Sequence, residues 1–301
     1  YEPPAEAQIA AAEALLARLG AFDAGSRRIT PIGRRMLALP VHPRLARLLL
    51  AAADEGLVRE GAALAALLSE KDVAGRRRTA GDRGSSDVLP RLDLLAEAEA
   101  SRFSPWLRDR GIDPDAARQV ARIRDDLARM ASDAAPSRLD ADAREEALLK
   151  LLILAYPDRV VRRRGAEETG IMVGGRGVRL APESVVRDGE FFLALDPRED
   201  RRRGALEFQV AVASAVRWEW LEELVPQSIR RERSVEYDPG RERVAAMNRL
   251  WYEDVLIRED PARPADAAEA SRALFEALRP RAASVFRDDP AAASWLARYD
   301  F

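Results

Sequence analysis

The 301-residue sequence predicts a multidomain α + β fold, and three observations predict it. Helical patterns follow one another from residue 43 to 155, apolar and polar residues alternate with period two after Tyr156-Pro157, and helical spacing returns at Pro264. A chain of this length has room for two or three separate cores.

Ile9, Ala12, Leu15, Leu16 and Leu19 are spaced as one buried face of a helix over 5–19, and Gly20 closes it. Asp23-Ala24-Gly25-Ser26 reads as a tight turn and Arg27 to Ile29 as a short strand. Thr30 is suited to cap a helix that Pro31 opens and Pro40 stops after Leu39. Helix, turn with strand, helix is the skeleton of a partial winged helix. Helices are then predicted over 43–55, 57–70, 88–100, 114–130 and 141–155, with Asp113-Pro114 as a capped start. GRRRTAGDRGSSD, residues 75–87, has the glycine, serine and charge content of an exposed loop.

After Tyr156 the strands are short. TGIMV (169–173) and RGVRL (176–180) flank a Gly174-Gly175 hairpin turn, and FFLAL (191–195) follows. In LEFQVAVASAV the residues Leu206, Phe208, Val210, Val212 and Val216 alternate as one half-buried strand. Trp218 to Leu224 suits a short helix, a second hairpin turns at Asp238-Pro239-Gly240, and DVLIRE adds another strand. Five or six strands with one helix in about 100 residues predict a small closed barrel of the OB type.

Composition excludes several chemistries. An apolar share of 47% with 33% charged residues describes a globular chain rather than a disordered one. No apolar run nears the ~20 residues of a membrane span and no signal peptide is evident, so the cytoplasm is the expected compartment and no membrane partner is expected. With no cysteine, disulfides, thiolate metal sites and thiol nucleophiles are absent. His42, the single histidine, has no second imidazole to share a metal or a catalytic triad with, and a packed or capping role is expected. There is no Gly-Lys dipeptide for a phosphate loop. Gly174, Gly175 and Gly177 read as turn residues, and Glu145-Glu146 and Asp125-Asp126 as salt-bridged helix surface. Catalytic residues, metal ligands and a cofactor of this chain's own are therefore not expected. The sequence opens on Tyr1 and reads as a piece of a longer polypeptide.

What remains is arginine. Net charge is −2, yet six arginines and no acid lie between Arg27 and Arg47, and a second group surrounds Arg162, Arg163 and Arg164. Unopposed guanidiniums near helix starts attract phosphates, and basic residues at the entrance of a barrel suit the backbone of a single strand. Arg34, Arg35, Arg44, Arg47, Arg162, Arg163, Arg164 and Arg176 are the candidate nucleic-acid contacts. The competing reading is structural, an arginine network joining helices to barrel, above all for Arg159. Trp218, Trp220, Trp251, Tyr237 and Tyr252 sit in apolar alternation and are expected in cores.

The segment LLARLGAFDAGSRRITPIGRRMLALPVHPRLARLLL (15–50), with Leu19-Gly20-Ala21, Thr30-x-x-Gly33 and Leu39-Pro40-x-x-Pro43, resembles the helicase-associated region of DEAH-box helicases. LLILAYPDRVVRRRG (151–165), Gly175-Arg176-Gly177, VEYDPGRERVAA (235–246) and VLIRE (255–259) resemble the bacterial HrpB branch of that family. The resemblance implies the region after two RecA-like motor domains. It divides the chain into a partial winged helix (1–39), a helical ratchet bundle (40–155), an OB-fold-like barrel (156–259) and the start of a C-terminal helical extension (260–301). It further implies that ATP and magnesium belong to the motors, that this chain alone has no activity, and that its partners are single-stranded RNA or DNA and the motor domains of the same polypeptide. Two alternatives stay open: a scaffold that docks the motors or a partner without touching nucleic acid, and a duplex-binding winged-helix regulator.

Overall fold

The computed structural model describes residues 4–70, 72–74, 83–131, 137–165, 168–199, 207–263, 266–279 and 294. The chain divides into two compact units, Tyr1–Ser228 and Ile229–Phe301.

The first unit begins with α1 (Glu6–Arg18), the two-residue strands β1 (Phe22–Asp23) and β2 (Arg28–Ile29), and α2 (Pro31–Leu37). Thr30 acts as its position predicts: its Oγ1 accepts from the Gly33 amide at 3.0 Å and donates to the Gly20 carbonyl at 2.6 Å. Gly33 has no room for a side chain, because a Cβ there would lie 2.2 Å from the Ala21 carbonyl oxygen. The Thr-x-x-Gly spacing thus joins a helix cap to a close backbone approach. Gly33→Ala is expected to cost roughly 1–3 kcal/mol in urea unfolding, the scale of overpacking, and Thr30→Ala about 1 kcal/mol. The face predicted for α1 is not buried: none of its residues is, Ile9 is 44% exposed, and burial starts only at Leu19.

Helices α3 (Pro43–Asp54), α4 (Val58–Ser69), α5 (Leu89–Ala100), α6 (Pro114–Ala131) and α7 (Ala141–Ala155) form a bundle around fully buried Leu48, Leu49, Leu64 and Leu152. Gly61 lets α4 approach α3, since a Cβ there would stand 2.3 Å from that of Ala52. Asp113 accepts from the amides of Asp115 and Ala116, and Asp140 from that of Ala143, capping α6 and α7.

Among the described residues seven strands make the main sheet: β3 (Val160–Arg163), β4 (Thr169–Met172), β5 (Arg176–Leu180), β6 (Phe191–Ala194), β7 (Pro197–Glu199), β8 (Glu207–Val210) and β9 (Ala213–Val216), in the order β7-β8-β5-β4-β3-β6-β9. The β4–β5 hairpin turns through Gly174 and Gly175, both with positive φ, as expected. The run read as one strand from Leu206 is two; Leu206 itself lies outside the described residues. β8 pairs with β5 in parallel and β9 pairs with β6. In a flat sheet β8 and β9 would stand five strand spacings apart, about 24 Å. Only Ala211 and Val212 separate them in the chain, a reach of about 11 Å. The sheet therefore curls into a half-barrel, and among the described residues no ladder joins its edge strands β7 and β9 to close it. Val161, Met172, Val178, Leu180, Phe192 and Val210 fill its concavity. Helix α8 (Trp218–Leu224) follows, with Trp218 against Phe191 at 5.9 Å between ring centroids.

The 75–87 loop is corrected where it is described. Residues 75–82 lie outside the described residues, but Ser86 and Asp87 are buried. Gly84 donates to the Val185 carbonyl, Asp87 to that of Ala213, and Ala215 to that of Ser85, so 84–87 lies along the free edge of β9.

In the second unit β10 (Ile229–Asp238), β11 (Arg243–Tyr252) and β12 (Val255–Ala262) form their own antiparallel sheet, with α9 (Ala267–Leu278) against β10 and β11. Asp266 caps α9 through the Glu269 amide at 2.7 Å, and Arg233 pairs with Glu269.

Candidate nucleic-acid interface

Arg44 and Arg159 meet on the Tyr156 ring, where α7 runs into the first strand of the half-barrel. Arg44, in the first turn of α3, donates to both carboxylate oxygens of Asp158, at 2.5 and 2.7 Å, and to the Ala155 carbonyl at 3.1 Å. Its guanidinium lies 5.1 Å from the centroid of the Tyr156 ring, and Arg159 approaches the same ring at 5.4 Å while donating to the Leu195 carbonyl at 2.8 Å. Burial opposes charge on Asp158, but the hydrogen bonds and charge of Arg44 outweigh it and hold the carboxyl below its usual range. Burial first, then the neighbouring charge of Arg44, lowers the pKa of Arg159. The structural reading of Arg159 is the one its contacts support.

The eight candidate arginines separate by environment. Arg44 and Arg163 are buried. Arg163 donates to the Gly189 carbonyl at 2.9 Å and to that of Val186 at 3.1 Å, and lies over Phe192 at 5.0 Å. Both guanidiniums are occupied inside the fold. Arg35 pairs with Asp54 at 2.9 Å and Arg162 with Glu190 at 3.2 Å, both near the surface. Arg34, Arg47, Arg164 and Arg176 form no ion pair among the described residues; Arg34, Arg164 and Arg176 are exposed and Arg47 half-buried. Arg176 lies over Phe208 at 5.3 Å. Arg162 and Arg163 lie on the first strand of the sheet rather than ahead of it, because β3 begins at Val160.

His42 caps α3: its Nδ1 accepts from the Arg44 amide at 3.3 Å. Burial, and then the charges of Arg44 and Arg159, lower its pKa. A histidine with a depressed folded pKa contributes stability above its unfolded value near 6.5, and that contribution is lost as pH falls through the folded value. His42→Asn, which caps without titrating, is expected to lose less stability than the wild type in urea midpoints compared at pH 7.5 and 5.5. Asp158 titrates well below that window.

Asp87 is the residue that sequence reasoning missed. It is fully buried, and its carboxylate accepts from Ser184 Oγ at 2.7 Å and from the Val185 and Ala213 amides at 2.9 Å. Beside it Ser86 and Ser214 share a hydroxyl hydrogen bond of 2.6 Å, and Arg91, paired with Asp72, donates to the Asp87 carbonyl. The acidic residue at the end of a charged, glycine-rich run carried no local sign of this role. The carboxylate pairs behave as expected, Glu146 with Lys150 at 3.1 Å and Asp126 with Arg129. Among the described residues no cluster of histidine and carboxylates is arranged to hold a metal, and no helix is long and apolar enough to cross a membrane.

Comparison with known proteins agrees with this architecture. The winged-helix helicase-associated domain (HA2) matches residues 12–41. The ATP-dependent RNA helicase HrpB of Escherichia coli K12 is 23% identical over 320 aligned positions, covering 100% of this chain and 34% of that protein. HrpA of the same strain, also an ATP-dependent RNA helicase, is 40% identical over 75 positions, covering 24% of this chain and 6% of that protein. Two crystal structures of E. coli HrpB, a DExH-box NTPase and DEAH/RHA helicase, share the fold: TM-scores are 0.62 and 0.59 at 22% and 23% identity. They cover 94% and 95% of this chain, which matches 30% and 31% of theirs. The chain thus spans about a third of the length of the HrpB proteins it matches. The winged-helix match and the likeness to HrpB along its whole length support a resemblance of this chain to the C-terminal region of HrpB-like DEAH-box helicases.

Proposed function

We propose that this chain is an accessory, nucleic-acid-guiding region of an ATP-dependent helicase, in which the bundle acts as a ratchet and the half-barrel as an OB-like platform beside RecA-like motor domains of the same polypeptide. The observation that carries it is the separation of the arginines. After Arg44 and Arg163 are occupied internally, Arg34, Arg164 and Arg176 remain exposed without a carboxylate partner among the described residues. The relatives are named as RNA helicases, which favours single-stranded RNA over DNA as the ligand. ATP and magnesium belong to the motors, so the chain alone hydrolyses nothing.

Phosphate contacts of this kind are salt-dependent, with a slope of about −0.7 per phosphate for single strands in a plot of log affinity against log salt. Fluorescence anisotropy with a labelled single-stranded RNA is expected to show steep weakening between low and moderate salt. Arg34→Glu with Arg164→Glu is expected to lower affinity about tenfold or more and to flatten the slope by about 1.4. Binding that is absent, or indifferent to salt, sinks the proposal.

A second reading, docking of the motor domains without contact to nucleic acid, is favoured by Leu37, 76% exposed at the end of α2, and by exposed Ile29 on β2. Tight association with separately produced motor domains, abolished by Leu37→Asp and Arg47→Glu in a chain that binds no RNA, would select it.

A further inference from the structure

The turn between α5 and α6 combines an unusual backbone with an exposed indole. Arg102 and Phe103 are consecutive non-glycine residues in the left-handed region, with φ of 55° and 54°, a conformation that residues with side chains seldom adopt. The surroundings hold them there. The Phe103 amide donates to the Ala98 carbonyl at 2.7 Å, Arg118 lies 5.3 Å over the Phe103 ring, and Leu107 is fully buried beneath. Backbone held in rare conformations by surrounding contacts is often found where a protein presents a binding group.

The group presented is Trp106, 46% exposed on the short 3-10 turn Pro105–Arg110. The Arg110 guanidinium stands 5.8 Å from its ring centroid and is paired with Glu97 at 2.7 Å, which leaves much of the indole open. RFSPWLRDR, residues 102–110, sets three arginines and two aromatics against the single acid Asp109. Arg102 is exposed and forms no ion pair among the described residues, and Arg108 is exposed although paired with Asp115 at 2.6 Å. Aromatic rings interleaved with cations are the surface on which single-stranded nucleic acid stacks its bases while its phosphates find positive charge. An exposed guanidinium without an ion pair among the described residues, Arg102, in the same turn as an exposed indole favours this ligand over a protein partner.

We propose that the 102–110 turn is a base-stacking site for single-stranded nucleic acid, with Trp106 receiving a base and Arg102 and Arg108 the flanking phosphates. This rests on the nucleic-acid-guiding reading above and adds to the phosphate contacts a place where bases are held.

The test compares a short oligouridylate with an abasic strand of equal length and charge, using the whole 301-residue chain. Trp106→Ala is expected to weaken oligouridylate binding by about tenfold, to leave the salt slope unchanged, and to leave the abasic strand unaffected. Trp106→Phe, which keeps a ring, should restore most of the affinity. Equal thermal midpoints establish that the fold is kept. If Trp106→Ala binds oligouridylate like the wild type while Arg34→Glu with Arg164→Glu loses it, the stacking site is wrong and the guiding role stands. If the unaltered chain binds neither strand, both fall. A loss equal on the two strands also overturns stacking, since a contact with bases cannot weaken a strand that has none.

Discussion

Arg44→Ala is expected to destabilise the first unit by about 3–5 kcal/mol, the scale of breaking a buried ion pair by removing one partner. The cause is what stays behind. Asp158 is mostly enclosed, and Arg44 supplies both of its guanidinium hydrogen bonds as well as one to the Ala155 carbonyl. Removing the cation leaves a mostly enclosed carboxylate without its two guanidinium hydrogen bonds, and a stacked ring that loses one of its two guanidiniums. Arg44→Lys keeps the charge but not the two parallel bonds, and is expected to recover only part of the loss. Arg44→Met with Asp158→Leu removes both charges and should be milder than either single change, because no buried ion remains. Urea unfolding followed by circular dichroism measures each of these variants. A loss below about 1 kcal/mol for Arg44→Ala would show that Asp158 is hydrated without its partner.

Asp87→Ala is the second large effect, about 3 kcal/mol or more. Its carboxylate is the acceptor for two backbone amides and one hydroxyl, all inside the fold. Each such donor left unsatisfied costs roughly 1–3 kcal/mol. Asp87→Asn retains an acceptor oxygen and should lose less. Native-state hydrogen exchange gives a local readout: the amides of Val185 and Ala213 are expected to lose protection in Asp87→Ala beyond what the global stability accounts for. Unchanged protection at both positions would mean that the 84–87 edge is held by its backbone pairing alone.

The difference between these two acids and the exposed arginines explains how much was legible from residues alone. Helix ends were, because their determinants are local: Pro31, Pro43 and Pro114 open helices, Thr30, Asp113 and Asp140 cap them, and Gly174-Gly175 turns a hairpin. The segment around 15–50 was legible at the level of family, because a cap, a close approach at Gly33 and a proline break recur at fixed spacing. Burial of charge was not. Whether Arg44 faces a phosphate or a carboxylate depends on Asp158, 114 residues later. Arg34, on the preceding helix, differs from it in no way that composition records.

Strand topology was hidden for the same reason. The alternation in 206–216 is genuine, but its two halves serve opposite sides of a sheet whose order no short window contains. The predicted face of α1 had the right spacing, yet spacing does not supply a neighbouring surface. Trp106 carries no local sign in the sequence, because what presents it is the pair of left-handed residues just before it.

The pairing of Asp87 with Ala213 also has a temporal side. The carboxylate and the amide that binds it are separated by 126 residues of chain. At ribosomal speeds of 5–20 residues per second, roughly 6–25 s pass between the synthesis of one and of the other. Helices α5, α6 and α7 are made during that interval, and the acid gains Ser184 and Val185 before it gains the Ala213 amide. The nascent bundle is therefore an unfinished object until the ninth strand emerges, and a stall in translation shortly before that strand would hold it open to proteases and chaperones.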